Sequence, residues 1–333
     1  MQALVSRKIG GPEELTVETM VDPAAEAGQV IIAVKACAIN YPDLLIIEDK
    51  YQLKPSRPFA PGGEVAGVIE TVGANVEKWR VGDRVIGFTG YGGLSELVAV
   101  DADHVYPLPS NRHFIEGAAL LFTYGTALHG LRDRGRLKIG NRLLVLGAAG
   151  GVGLAAVELG KALGAHVVGA VSSPEKAEIA VGAGADEALV YERGPLGKDE
   201  SRALAGQFKD AGGADGFDLI FDTVGGDYAE SAVRSIGWGG RYLVVGFPAG
   251  IPCLPLNLAL LKGCDICGVF WGAFADRAPQ DCADEVAMLF DLWENGRIAP
   301  KASHVFPLEK GGEAIARLAA RDNVGKIVVS MTG

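Results

Sequence analysis

The sequence predicts an α/β protein. A β-rich N-terminal domain comes first, a doubly wound parallel sheet is inserted after it, and a C-terminal return closes the chain. Three observations carry this. Short β-branched runs punctuated by glycine fill the first third of the chain. From about Phe114 onward, helices and fully apolar strands alternate. One of those strands runs into a glycine-rich turn that opens a helix.

The early strands are QVIIAVKACAI (Gln29–Ile39), EVAGVIETVG (Glu64–Gly73), DRVIGF (Asp83–Phe88) and SELVAV (Ser95–Val100). Their spacing and β-branched content suit a sandwich or barrel. IEGAALLFTYGTALHGLRDRG then reads as one or two helices with glycine interruptions. RLLVLG (Arg142–Gly147) is a buried strand. In the helix VGLAAVELGKALGA, residues Val152, Ala155, Ala156, Leu159 and Leu163 share one face, and Gly164 stops it. HVVGAV (His166–Val171) is the next strand, followed by helix PEKAEIAVGAGA and strands EALVY, DLIFDTVG and RYLVVGF. Strands apolar on both faces that alternate with helices indicate a parallel sheet covered on both sides. A third segment from about Asn257 holds CDICGVFWGAF, a helix near Asp284–Asn295 and a helix–strand pair ending KIVVSM. It is too short for its own core and is expected to pack on the first domain. The expected domains are 1–122, 123–262 and 263–333.

The 333 residues, 49% hydrophobic and 22% charged, suit a soluble chain of two domains. A net charge of −10 argues against nucleic acid or an anionic membrane as the main partner. There is no run of 18 apolar residues, so no membrane span is expected. The opening MQALVSRKIGGPEELTVET lacks an apolar core and a small-residue cleavage site, so no secretory signal is expected. Five sparse cysteines, an odd number, argue against a disulfide framework and for a reducing cytoplasm.

The most specific motif is LLVLGAAGGVGLAAVELGKALGA. Ala148, Gly150 and Gly153 fill the three small-residue positions of a dinucleotide-binding turn, with Gly151 and Val152 between them. The first position makes the turn, the second lets backbone approach a pyrophosphate, and the third lets helix pack on strand. The helix N-terminus offers unpaired N–H groups and a positive dipole end to phosphate. NAD sites place a carboxylate at the end of the following strand, for the ribose 2′-OH. Here that strand ends Ala170-Val171-Ser172-Ser173, and no acid comes before Glu175, which Lys176 follows. Ser172 and Ser173 also suit a helix cap. The missing acid, with two hydroxyls and an ammonium in its place, points to a 2′-phosphate and so to NADPH.

AAGGVG after a strand, together with INYPD, PGGEVAG and DTVGG, resembles the zinc-independent quinone oxidoreductase branch of the medium-chain dehydrogenase/reductase superfamily. The resemblance spans essentially the whole chain, with the motifs in the family's order. It implies a GroES-like β domain at 1–122, a Rossmann domain at 123–262, and reduction of quinones or other activated double bonds. Asn40 stands where the zinc branch has a ligand Cys, and Gly63 where it has a His, so no metal is expected. By the same resemblance, Asn40 and Thr126 lie around the nicotinamide. Ser172, Ser173, Lys176 and Tyr191 lie at the adenosine-phosphate end. Val224, Gly246 and Phe247 line the cofactor crevice, and Gly325 and Lys326 match a closing G-K. Tyr51 faces substrate, with Phe270 and Trp271 walling its pocket. Tyr51, Asn40 and Thr126 are thus the candidate catalytic residues.

Other features read as structure. Cys264 and Cys267 have CxxC spacing without a partner pair, and residues three apart on a strand face opposite ways. His129 is expected to pack, and Asp222 to order a strand end. Asp43 suits either catalysis or loop capping. PCLPLNLALLKGCDICGVF is apolar enough to need cover, and with the resemblance predicts a homodimer along the inserted sheet's edge. Hydride transfer without a metal requires an acceptor that is already electrophilic, such as a quinone or enone. An enoyl-thioester or haloacrylate reductase and a non-catalytic NADPH-binding protein are the alternatives.

Overall fold

The β-branched runs of the first third form strands β1 (Gln2–Val5), β2 (Thr16–Thr19), β3 (Gln29–Ile39), β4 (Glu64–Val72), β5 (Arg84–Phe88), β6 (Leu97–Asp101) and β7 (Val105–Pro107). The structure is a computed structural model and describes residues 1–321 and 324–331. β3 is the hub. Along one side it pairs antiparallel with β4; along the other, Gln29–Ala33 pair with β6. Val30, Ile32, Val34, Cys37 and Ile39 of β3 are buried with Val65, Val85 and Leu94 in one core. Each such side chain contributes about 1.5–3 kcal/mol when fully buried.

The second set of strands is β8 (Arg142–Leu146), β9 (His166–Val171), β10 (Glu187–Val190), β11 (Phe217–Asp222), β12 (Ile236–Val244) and β13 (Asp265–Gly268). All pair in parallel, in the order β10-β9-β8-β11-β12-β13. That is the doubly wound order, with its switch point between β8 and β11. Helices Gly151–Ala162, Pro174–Gly182, Lys198–Gly212 and Tyr228–Val233 connect successive strands. The run after Phe114 is broken as its glycines suggest: a helix at Phe114–Ala118, then wide π-type turns at Leu121–Gly125 and His129–Arg134. The last strands, β14 (Ala302–Pro307) and β15 (Lys326–Ser330), are parallel to each other and joined through helix Gly311–Ala319. β15 pairs antiparallel with β3, so the end of the chain rejoins the first sheet.

Two compact units result: Met1–Phe122 with Pro300–Gly333, and Thr123–Ala299. The boundary expected at residue 263 is therefore corrected to Pro300. β13 extends the parallel sheet at its β12 edge, and helix Pro279–Glu294 follows in the same unit. Residues 263–299 belong to the parallel-sheet unit because a four-residue parallel strand needs a sheet to join.

The turn after β8 shows why its residues are small. Gly147 has φ of +73°, a left-handed conformation that favours glycine. A Cβ on Gly153 would collide with the Gly147 carbonyl oxygen, whereas one on Gly150 would meet only that oxygen, at 3.4 Å. Gly153 thus serves packing, and Gly150 leaves space for a ligand. Accordingly, Gly153→Ala is expected to lower the urea midpoint by the equivalent of about 1–3 kcal/mol. Gly150→Ala should keep the midpoint and weaken nucleotide binding. Equal destabilisation by both variants would contradict this division.

Candidate active site

In the parallel-sheet unit the nucleotide loop hangs from β9. The Gly147 and Ala148 N–H groups donate to the Ala170 carbonyl at 3.0 and 3.2 Å. Helix Gly151–Ala162 then begins with Gly150 as N-cap, and no side chain caps it. Gly151, Val152 and Gly153 are the first residues of that helix, so its leading N–H groups suit a pyrophosphate.

The end of β9 carries Ser172 and Ser173. Ser173 caps helix Pro174–Gly182, accepting from the Lys176 N–H at 3.4 Å. Ser172 accepts a hydrogen bond from Arg193 Nε at 3.0 Å. Arg193 is absent from the sequence expectations. Its signal was a basic residue just past the β10 strand end. Tyr191, expected at the adenosine-phosphate end, is buried instead, with its ring 4.8 Å from that of Tyr228. Burial, with Tyr228 and Asp222 nearby, pushes its phenol well up.

Beyond β11, Asp222 organises the turn, as expected. Its Oδ1 accepts from the Val224 and Gly225 N–H groups at 2.7 and 2.9 Å, and its Oδ2 from the Tyr242 hydroxyl. Burial raises the Asp222 carboxyl, against those three hydrogen bonds. The Val245 and Gly246 N–H groups donate to the Asp222 carbonyl. Val224, Gly246 and the half-exposed Phe247 therefore sit on one ordered pair of strand ends. Thr126 is buried in the short helical piece Thr126–Leu128 of the same unit. Trp271, expected as a pocket wall, is only 2% exposed. A Cβ on Gly125 would meet its indole at 2.6 Å, so Trp271 is a packing residue, whereas Phe270 is half exposed.

The first unit holds a buried ionic cluster. Lys326 Nζ pairs with Glu64 at 3.1 Å and also donates to Asn40 Oδ1. Asn40 Nδ2 donates to Glu64 at 3.2 Å, and Glu64 accepts the Phe122 N–H at 2.9 Å. Lys326, expected on the cofactor, thus has its ammonium committed inside this unit; Gly325 beside it has φ of +64°. Asp43 settles as a clamp. Its two oxygens accept the Asn40 N–H at 2.6 Å and the Gly62 N–H at 2.9 Å, tying the Gly62–Gly63 loop to the start of helix Tyr41–Ile47. Burial lifts its carboxyl to about 6. Tyr51 is partly buried against the core, and burial and the Asp43 charge push its phenol up. These residues do not fit zinc. The Asn40 amide is engaged on both sides, residue 63 has no side chain, and Glu64 already faces an ammonium.

Among the described residues, His129, Asp133 and Glu285 form one cluster with ligand atoms within 4.8 Å of one another. Sequence spacing missed it, since Glu285 comes from a distant helix. His129 Nδ1 lies 2.9 Å from Asp133 and 3.6 Å from Glu285, and its ring stacks on Phe274. Arg132 contacts both acids, at 2.8 and 3.3 Å. The cations of the cluster are thus its own side chains. Burial lifts the Glu285 carboxyl from 4.5 to about 7. Burial opposes protonation of His129, but hydrogen bonds to Glu285 and Asp133 raise it. An acid raised in the folded state binds its proton more tightly there, so its contribution to stability declines as pH rises. Stability should therefore decline from pH 4.5 to about 7, with a slope of at most about 1.4 kcal/mol per pH unit for this one proton. Urea melts across that range check this: Glu285→Gln should flatten the decline, and an unchanged slope would contradict the assignment.

The family model for the alcohol dehydrogenase GroES-like domain matches residues 26–110, and that for zinc-binding dehydrogenases matches 151–290. A quinone oxidoreductase-like protein 2 homolog of Nematostella vectensis is 37% identical, covering 91% of this chain and 81% of that protein. The quinone oxidoreductase of Mus musculus is 32% identical, covering 94% and 92%. The crystal structure of Escherichia coli quinone oxidoreductase complexed with NADPH superposes with a TM-score of 0.90 at 26% identity, covering 99% and 100%. The GroES-like and Rossmann architecture is therefore shared along the chain, and the chain belongs to the quinone oxidoreductase branch of the medium-chain dehydrogenase/reductase superfamily.

Proposed function

We propose that this chain is an NADPH-dependent reductase that delivers hydride to a quinone or an activated α,β-unsaturated carbonyl compound. The observation that carries the reading is the end of β9, where Ser172, Ser173 and Lys176 stand in place of a carboxylate. The residues that would hold NADPH are the loop Ala148–Gly153, Ser172, Ser173 and Lys176, with Val224, Gly246 and Phe247 along the strand ends. When bound, NADPH supplies the hydride.

The chain's own residues position and shield. Among the described residues of the first unit, Asn40 and Gly63 hold the positions of the zinc branch's ligands, which suits an acceptor that is already electron-poor. Tyr51 keeps its proton at neutral pH, because burial and the Asp43 charge both raise it. Its hydroxyl can therefore donate to an oxyanion that develops on the acceptor. Asn40 and Thr126 are assigned to the nicotinamide, with Asn40 held by Lys326 and Glu64. Phe270 is assigned to the acceptor side. The names of the relatives support the acceptor class. Five free cysteines accord with a cytoplasmic location, and no described helix is long and apolar enough to cross a membrane.

The partner is a second copy of the chain. β13 is the edge of the parallel sheet. Beside it Leu260 is 78% and Trp238 82% exposed, and the Trp238 ring lies where a Cβ on Gly263 would touch it, at 3.3 Å. Such an edge invites pairing with its twin about a two-fold axis. Light scattering at micromolar concentration should give twice the chain mass, and Ile266→Glu should give a monomer. A wild-type monomer would contradict the dimer.

A panel of quinones, enones, enoyl thioesters and simple alcohols tests the chemistry. Oxidation of NADPH by quinones or enones is expected, with NADH much poorer and alcohols inert. Lys176→Ala should weaken NADPH binding roughly tenfold or more, by loss of a charge-assisted contact, and spare NADH. Enoyl thioesters as the sole acceptors would move the protein to the alternative reductase class. Alcohol oxidation without quinone or enone reduction would overturn the proposal.

A further inference from the structure

We infer that Arg193 is a specificity-determining residue for the cofactor's 2′-phosphate, held in place for that role by the Tyr228 hydroxyl. The inference rests on the NADPH reading above and deepens it. Arg193 follows the end of β10, yet its guanidinium reaches the end of β9, where Nε donates to Ser172 Oγ at 3.0 Å. In a doubly wound sheet this is the position that reads the ribose 2′ substituent. The nearby acids, Glu175 and Glu192, are both exposed.

The backbone on both sides of Arg193 is fixed by one side chain. The Tyr228 hydroxyl accepts the Gly194 N–H at 3.1 Å and can donate to the carbonyl of Glu192 or of Gly194, each at 3.1 Å. Tyr228 itself is buried, and its ring packs on Tyr191. An exposed arginine on an unheld loop would lose much of its binding advantage to rotamer and backbone freedom. Here the loop is pinned one residue before and one residue after the guanidinium. The buried Tyr191 therefore acts as a packing partner for the clamp, and Arg193 is the polar group that the β10 end delivers. A planar guanidinium matches a phosphate dianion in charge and in fork geometry, which an ammonium does not.

Isothermal titration of the full-length protein with 2′,5′-ADP, 5′-AMP, NADPH and NADH tests this. Arg193→Ala should weaken 2′,5′-ADP and NADPH about tenfold or more, and leave 5′-AMP and NADH within about twofold. Arg193→Lys should recover only part of the loss. Tyr228→Phe, with Arg193 intact, should give a smaller loss confined to the same two ligands. If wild type prefers 2′,5′-ADP over 5′-AMP and Arg193→Ala keeps that preference, the inference fails and the NADPH reading stands. Equal weakening of 5′-AMP and 2′,5′-ADP would assign Arg193 to general structure and also overturn it. If wild type does not distinguish the two nucleotides, both the inference and the NADPH reading fall.

Discussion

The ion pair between Lys326 and Glu64 is the constraint on which the first unit depends. Glu64 is completely buried at the start of β4. A buried carboxylate deprived of its cation costs several kcal/mol, so the pair must be closed for the unit to be stable. The register explains how. Glu64 lies opposite Ala38 on one side of β3, and Ile327, next to Lys326, lies opposite Ile39 on the other. The two charges therefore meet just past the end of β3, where Asn40 follows. One partner comes from residue 64 and the other from residue 326, so the chain must return to close the pair. The Rossmann unit is an insertion between the two halves of one buried electrostatic contact.

Much of this architecture was legible because it rests on local patterns. β3, β4, β5 and β8 through β12 follow runs of β-branched and apolar residues. The nucleotide loop follows from steric demands that a reader can infer from Gly147, Gly150 and Gly153. What escaped depends on distant partners. Helix Lys198–Gly212 buries only Leu204, Ala205, Phe208 and Gly212, a narrow stripe in a polar segment. β13 reads as part of the return because nothing in DICG says which sheet it joins. Lys326 reads as a cofactor ligand because its true partners lie more than two hundred residues earlier. Tyr191, just past the end of β10, and Trp271, at the start of helix Trp271–Arg277, are large aromatics, and sequence cannot tell a packed ring from an exposed one. The His129–Asp133–Glu285 cluster needed two helices brought together.

The electrostatics of the parallel-sheet unit resolve an apparent conflict. The chain carries ten more acidic than basic residues, yet the cofactor proposed for it is polyanionic. The buried acid at the end of β11 is engaged inward. Asp222 spends both carboxylate oxygens on its own turn and on Tyr242. What faces outward at the β9 end is Ser172 with Arg193, and the first turn of a helix in which Glu175 and Lys176 are adjacent. Local arrangement of a few donors outweighs the net charge, because interactions between exposed charges are screened beyond about 8–10 Å.

Reduction of a conjugated acceptor consumes a proton as well as a hydride, and the geometry restricts its source. Asp43, raised to about 6, has the acidity for proton transfer near neutral pH. Both of its oxygens, however, accept backbone N–H groups at 2.6 and 2.9 Å. Protonating either one would weaken a bond that holds Asn40 and the Gly62–Gly63 loop together, so its position serves as a clamp at the expense of acid catalysis. Glu64 is likewise committed to Lys326, Asn40 and the Phe122 N–H. In the proposed reaction the proton then comes from the Tyr51 hydroxyl or from water. Either source is weakly acidic, and this is adequate only where hydride addition already yields a stabilised enolate or hydroquinone anion. In the proposed reaction, the bonds that commit Asp43 and Glu64 are thus also what favours electron-poor acceptors.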